Sequence, residues 1–320
     1  MKPSANPSGY RNPSEVGITN YEDIQIVTGD GISIHAWLLL QSNSGDVPTI
    51  IFFHGNAGNI GFRLPNALQM YQLGYNVLQV EYRGYGNSDQ AKITEGGLKR
   101  DAIASLRYLK GRGDINNNKI FLFGRSLGGA VAFSLADYVN KVNSDPSLNS
   151  EEKLPAVAGL IVENTFLSIG HMVDTLMPYI SPLKSILLRI NWNSEEIAPK
   201  LSLPIMYISG TSDELVPKSH MSGLYEISRR LNPSTRIYNV KGGTHNDTWI
   251  RGGQDYWRKF NSFVVEVLGS ANGQQVHIGV HVSESVDGSG DDIDEEPVTS
   301  IPIMASGILG MVNDASKKKQ

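Results

Sequence analysis

One stretch leaves this chain little freedom in how it can fold: Ile120-Phe121-Leu122-Phe123-Gly124-Arg125-Ser126-Leu127-Gly128-Gly129-Ala130. An unbroken apolar run enters Gly-x-Ser-x-Gly, and a helical pattern begins at once behind it. Such a segment reads as a buried strand, a sharp turn and a helix, with a serine at the apex. The turn lifts the serine hydroxyl above the sheet edge. Gly124 and Gly128 flank it because a Cβ at either place would collide with neighbouring backbone. The helix N-terminus behind Ser126 adds positive potential where negative charge would develop. Ser126 is therefore the candidate nucleophile, and the chain has no cysteine to compete for that role or to form disulfides and thiolate metal sites.

The surrounding periodicity predicts an α/β fold with a mostly parallel sheet of about eight strands. Strands are expected at 24–27, 32–40, 49–53, 77–81, 119–123, 159–162, 205–208 and 235–240, and helices at 60–73, 94–110, 127–140, 218–230 and 253–268. Thr28-Gly29-Asp30-Gly31 is a hairpin signal, so the sheet opens antiparallel and then turns parallel. Residues 143–155 read as a polar surface insertion. The long interval after the sixth strand, about residues 165–200, carries apolar residues at helical spacing from Phe166 to Trp192 and reads as a small helical cap. The domain is expected over 21–268, behind an irregular segment at 1–20.

A serine hydroxyl needs a base, and a histidine base needs a carboxylate to fix its tautomer. In chain order these should follow late strands. Ile208-Ser209-Gly210-Thr211-Ser212-Asp213-Glu214 and Val240-Lys241-Gly242-Gly243-Thr244-His245 supply them, at the strand ends where open α/β sheets bind ligands. Asp213 and His245 are the candidates. Glu163, directly after an apolar strand, and Glu214 compete for the acid, while Asp247 reads as structural. His54-Gly55-Asn56-Ala57-Gly58 follows the third strand and offers a second oxyanion donor, the Asn56 NH, beside the first, the Leu127 NH. His54 and Gly55 are expected to brace that turn by side-chain hydrogen bonding and backbone freedom.

Other chemistries find no footing. Arg83-Gly84-Tyr85-Gly86 lacks the third glycine of a dinucleotide fingerprint and is expected to pack under the catalytic loops. No phosphate-cradling loop occurs, so no cofactor is expected. His277 and His281 are spaced i, i+4 without a third ligand, and no metal site is expected. Residues 1–268 carry 25 basic and 24 acidic residues, and residues 269–320 carry 3 and 8. The body offers no basic stripe for nucleic acid, and the Gly/Ser/Asp/Glu-rich tail at 269–320 is expected to be disordered.

Six motifs in order, His54-Gly55-Asn56-Ala57-Gly58-Asn59, Tyr82-Arg83-Gly84-Tyr85-Gly86, Gly124 to Ala130, Glu163-Asn164-Thr165-Phe166, Ser209 to Asp213, and His245-Asn246-Asp247-Thr248-Trp249, resemble the Bem46 group of α/β-hydrolases across residues 20–268. That group is similar to the α/β-hydrolase-domain 13 proteins and, more distantly, to domain-17 depalmitoylases and S33-type serine peptidases. The resemblance implies a serine hydrolase with Ser126, Asp213 and His245 as its triad but leaves the substrate open; the serine chemistry is expected to act on an ester or thioester, and the apolar cap points to an acyl or lipophilic substrate, a small molecule or an acylated protein. An aminopeptidase-like reading would need an acidic site for a free amine, with Asp174, Glu195 and Glu196 as candidates, and a non-catalytic scaffold is a third reading. Members of the group usually begin with an apolar N-terminal anchor that is not found here, which implies either a soluble form or a sequence truncated before its anchor; membrane-surface association is a further expectation. The single proline-free N-x-[ST] sequon, at Asn246, adjoins His245 and points to a cytosol-facing domain.

Overall fold

The apolar runs become eight strands: β1 (Tyr21–Val27), β2 (Ser33–Leu39), β3 (Thr49–Phe53), β4 (Asn76–Val80), β5 (Ile120–Arg125), β6 (Val157–Glu163), β7 (Ile205–Gly210) and β8 (Arg236–Val240). The computed structural model describes residues 5–176, 190–230 and 232–272. The strands form one sheet in the order β1-β2-β4-β3-β5-β6-β7-β8. β1 pairs antiparallel with β2 and β2 with β4, and the remaining pairs are parallel. β3, β4 and β5 are buried along their whole length, as expected of parallel strands covered on both faces.

Among the described residues seven α-helices accompany the sheet: α1 (Leu64–Gln72), α2 (Glu95–Lys110), α3 (Leu127–Ser144), α4 (Ile169–Leu176), α5 (Ser194–Ile197), α6 (Lys218–Arg229) and α7 (Thr248–Asn272). α1 and α7 cover one face, where Trp37, Phe52, Phe123, Tyr256 and Phe260 meet. α2, α3 and α6 cover the other, around Leu106, Phe133, Leu135, Tyr207 and Leu224. None of the described helices is long and apolar enough to cross a membrane.

Several boundaries differ from the sequence expectation for local reasons. α1 starts at Leu64 rather than at residue 60, because Gly61–Arg63 forms a 3-10 turn and Pro65 sits in the first helical turn, where its missing NH costs nothing. α7 starts at Thr248, five residues before the expected start, and breaks at Gly253, where φ is 49°. α3 runs on to Ser144, into the expected insertion, and the Asn143 amide closes that loop through both backbone groups of Leu154, each at 3.0 Å. Ile18 is buried, and Gly61 packs against Asn6 and the Tyr10 carbonyl, so the segment before β1 belongs to the packed domain. The apolar cap positions Met177 to Leu188 and the tail after Asn272, with His277 and His281, lie outside the described residues.

The tightest contact joins α3 to the sheet. A Cβ on Gly128 would stand 2.0 Å from the Phe53 carbonyl oxygen, and one on Gly124 would stand 2.2 Å from that of Gly128. Neither neighbour is a side chain that could swing away. Gly128→Ala is thus expected to lower stability by about 2–3 kcal/mol, seen as a fall in Tm of roughly 5–10 °C for a domain of this size; differential scanning calorimetry measures it.

Candidate active site

Strand order reverses at the centre of the sheet: the chain leaves β3 for β4 on one side and later enters β5 on the other. In open α/β sheets that switch point leaves a crevice at the carboxyl ends of the strands. β3 delivers His54-Gly55-Asn56 there and β5 delivers Ser126. The two meet, since a Cβ on Gly55 would lie 3.5 Å from that of Ser126.

Ser126 occupies the turn with φ 54° and ψ −120°, a conformation that L-residues adopt only under constraint. The constraint comes from the end of β6. The Ser126 NH donates to the Glu163 carbonyl at 2.9 Å, and its own carbonyl accepts from Thr165 Oγ1 at 2.8 Å. The Leu127 NH opens α3, where no intrahelical acceptor exists, and it stands beside the serine with the positive end of the helix behind it.

Asp213 and His245 come together from the loops after β7 and β8. The Asp213 carboxylate lies 2.9 Å from His245 Nδ1 through Oδ2, and its Oδ1 also accepts from the Leu215 and Val216 NH groups at 2.9 and 2.8 Å. The two side chains are only 1% and 5% exposed. A carboxylate so held is an acceptor, which makes Nδ1 the protonated ring nitrogen and leaves Nε2 free to take a proton. The Ser126 hydroxyl makes no hydrogen bond among the described residues, and such links commonly tighten only when substrate is bound.

The rival acids are engaged elsewhere. Glu163 is fully buried, pairs with the Arg125 guanidinium and accepts from the Tyr256 hydroxyl. Glu214 reaches the backbone NH of His245 at 3.2 Å rather than its ring. Asp247 accepts from the NH and hydroxyl of Thr244, both at 2.7 Å, and pairs with Arg251; it braces the histidine loop. Among the described residues no group of three His, Asp or Glu side chains is placed to hold a metal ion.

The turn after β3 is braced from the motif that follows β4. Tyr85 Oη donates to the Asn56 side chain and lies 3.0 Å from its carbonyl, and Tyr82 Oη donates to the His54 carbonyl at 3.0 Å. Arg83 anchors this motif through Asp101 and Asp30, each at 2.8 Å. The Arg83 guanidinium holds the Asp30 carboxyl well below the usual carboxylate range. The segment thus packs against the loop that follows β3.

Comparison with known proteins places this architecture. The chain is 37% identical over 250 residues to the α/β-hydrolase-domain protein WAV2 of Arabidopsis thaliana, covering 74% of this chain and 76% of that one. It is 35% identical over 271 residues to the protein bem46 of Schizosaccharomyces pombe, covering 82% and 84%. The chain belongs to the Bem46-type α/β-hydrolase family. A family model described as serine aminopeptidase, S33, matches residues 47–193. Among solved structures, an esterase of Pyrococcus furiosus superposes with a TM-score of 0.61 at 20% identity, covering 84% of this chain and 99% of that one, which establishes a shared α/β-hydrolase fold.

Two residues of the site were not singled out by sequence reasoning. Asn164, at φ 48°, has an amide that joins three loops. Its Nδ2 donates to the carbonyls of Thr244 and His245 and to Thr248 Oγ1 at 3.1, 3.1 and 2.9 Å, and its Oδ1 accepts from the Gly210 NH at 2.8 Å. The only sequence hint is its place two residues after an apolar strand, in Glu163-Asn164-Thr165. His220, at the start of α6, is also buried beside the site, where it accepts from the Leu167 NH through Nδ1 at 3.2 Å. Its ring centroid lies 6.5 Å from that of His171, which itself contacts Glu195.

Both residues yield measurable consequences. Asn164→Ala and Asn164→Gly lose the same hydrogen bonds, but alanine also pays the left-handed backbone penalty. Urea unfolding should therefore show both variants destabilised by at least about 2 kcal/mol, with alanine the worse by roughly 1 kcal/mol. Burial, reinforced by His171 and opposed by Asp213, lowers the His220 pKa below its ordinary value. The folded chain keeps the ring neutral while the unfolded chain protonates it below about pH 6.5. Stability should fall as pH drops through that value, and His220→Gln should flatten this part of the stability curve.

Proposed function

We propose that the chain is a serine hydrolase that cleaves an ester or thioester of an apolar acyl group through a covalent acyl-enzyme. The observation that carries the reading is the His245 imidazole, held at Nδ1 by a buried, doubly hydrogen-bonded Asp213 carboxylate, on the sheet edge that also bears Ser126 in its constrained turn. An imidazole oriented in this way can accept the Ser126 proton at Nε2 while Oγ adds to the substrate carbonyl. The negative charge formed on the carbonyl oxygen would rest on the NH groups of Leu127 and Asn56. Collapse expels the alcohol or thiol, which takes the proton from His245. Water then repeats the cycle, giving its proton to His245 and its oxygen to the acid product, and frees Ser126. Asp213 stabilises the imidazolium in both halves.

The base of the cap favours an apolar acyl chain. Phe166, Met172 and Val173 are buried there, with Leu167 and Ile169 packed against the same cluster. Of the acidic candidates for amine recognition, Glu195 lies 3.4 Å from His171, an engagement that competes with binding a free amine and supports ester and thioester substrates over peptides. Either a small molecule or an acylated protein could carry the acyl group, and an apolar product would accord with work at a membrane surface.

A fluorophosphonate probe should label the wild-type chain, and Ser126→Ala should abolish labelling and lower kcat by ~10⁴-fold or more. On p-nitrophenyl esters, kcat/KM should rise from acetate towards longer acyl chains. A wild type that takes no label overturns the catalytic reading; a flat chain-length profile, or turnover of aminoacyl amides in preference to esters, overturns the substrate class.

A further inference from the structure

We propose that His54 and Glu81 form a buried imidazolium–carboxylate pair, and that this pair fixes the turn presenting the Asn56 NH to the substrate. The inference rests on the reading of Asn56 as an oxyanion donor and adds two positioning residues to it, one of which, Glu81, has no other part in the site.

Register brings the two residues together. Phe53 of β3 and Val80 of β4 are direct partners in a parallel pair, so the next residues, His54 and Glu81, leave the sheet side by side. Both side chains are almost completely buried, at 1% and 0% exposure. His54 Nδ1 lies 2.7 Å from the Gly55 carbonyl oxygen. A carbonyl can only accept, so Nδ1 bears hydrogen. Nε2 lies 3.2 Å from Glu81 Oε1, and neither atom has a hydrogen-bond partner of good alignment among the described residues. A neutral imidazole would set an unprotonated ring nitrogen 3.2 Å from a carboxylate oxygen in a site closed to water. A second ring proton removes that conflict and makes the contact an ion pair.

The surroundings suit the charged pair. The rings of Tyr82 and Tyr85 stand 4.4 and 5.2 Å from the His54 ring and pack it in place. Glu81 also interacts electrostatically with the buried Arg63 guanidinium. The other Glu81 oxygen, Oε2, accepts from the Ile60 NH at 3.2 Å. One carboxylate therefore grips both ends of the loop from His54 to Ile60. Gly86 closes over it, for a Cβ there would meet Oε2 at 2.2 Å. Between the two grips lie Gly55, against Ser126, and Asn56.

The test uses the whole chain labelled with ¹⁵N at histidine. Near neutral pH both His54 ring nitrogens should resonate as protonated, slowly exchanging N–H groups, assigned by their loss in His54→Gln. In Glu81→Gln, where the amide can donate to a neutral Nε2 and keep the fold, only Nδ1 should remain protonated. On a p-nitrophenyl ester, kcat of Glu81→Gln should fall roughly tenfold to a hundredfold, the scale of a misplaced catalytic group, with KM within about threefold and Tm nearly unchanged. A neutral His54 in the wild type overturns the proposal, as does a Glu81→Gln enzyme with the wild-type kcat. If wild-type Ser126 takes no fluorophosphonate, the catalytic reading fails instead, and with it the role given to the turn, while the ring-nitrogen signals still decide the charge state.

Discussion

Everything at the sheet edge depends on how closely the first turn of α3 approaches the end of β3. With only hydrogen on the Gly128 Cα, the Phe53 and His54 carbonyls reach the helix backbone directly. That approach brings the first turn of α3 against the loop after β3, where Gly55 in turn lies against Ser126. Any side chain at Gly128 would wedge the helix and the loop apart. The glycine therefore acts through distance.

Around that contact the buried carboxylates divide their work. Asp213 turns to an imidazole ring, Glu163 to a guanidinium and a phenol, and Glu81 to the loop after β3. All three follow strands or lie at their ends, so composition alone does not separate them. What separates them is the neighbour that each meets. An isolated buried charge is costly, and each of these is met by hydrogen-bond donors or an opposite charge. The sheet edge thus carries several polar clusters that are each nearly self-contained, which lets the imidazole of His245 keep Nε2 uncommitted.

Much of this was legible in the sequence. Each expected strand is present, with ends moved by three residues or fewer, because buried parallel strands are written as continuous apolar runs. Ser126, Asp213 and His245 were legible because each follows such a run in a short loop. The missing parts depend on partners far apart in the chain. Nothing local in Arg125 says that it will meet Glu163, since they face each other only through the register of β5 with β6. The reach of Asn164 to Thr244, His245 and Gly210 needs three strand ends to be assembled first. Gly253 misled the reading of α7, because it marks a break within the helix and not its beginning.

The base of the cap carries a consequence for diversification. Its two feet are tied to each other, Ile169 NH to the Asn191 carbonyl and Glu195 NH to the Leu167 carbonyl, both at 3.0 Å, and Glu95 of α2 takes the NH groups of Asn191 and Trp192. The chain between the feet is an excursion on a closed stem. Doubling the length of such an excursion costs only roughly 0.6 kcal/mol of closure entropy. Insertions and deletions between the feet can therefore be accommodated while the stem, the strands and the loops at the sheet edge keep their places, so that segment can vary almost independently of the rest of the fold.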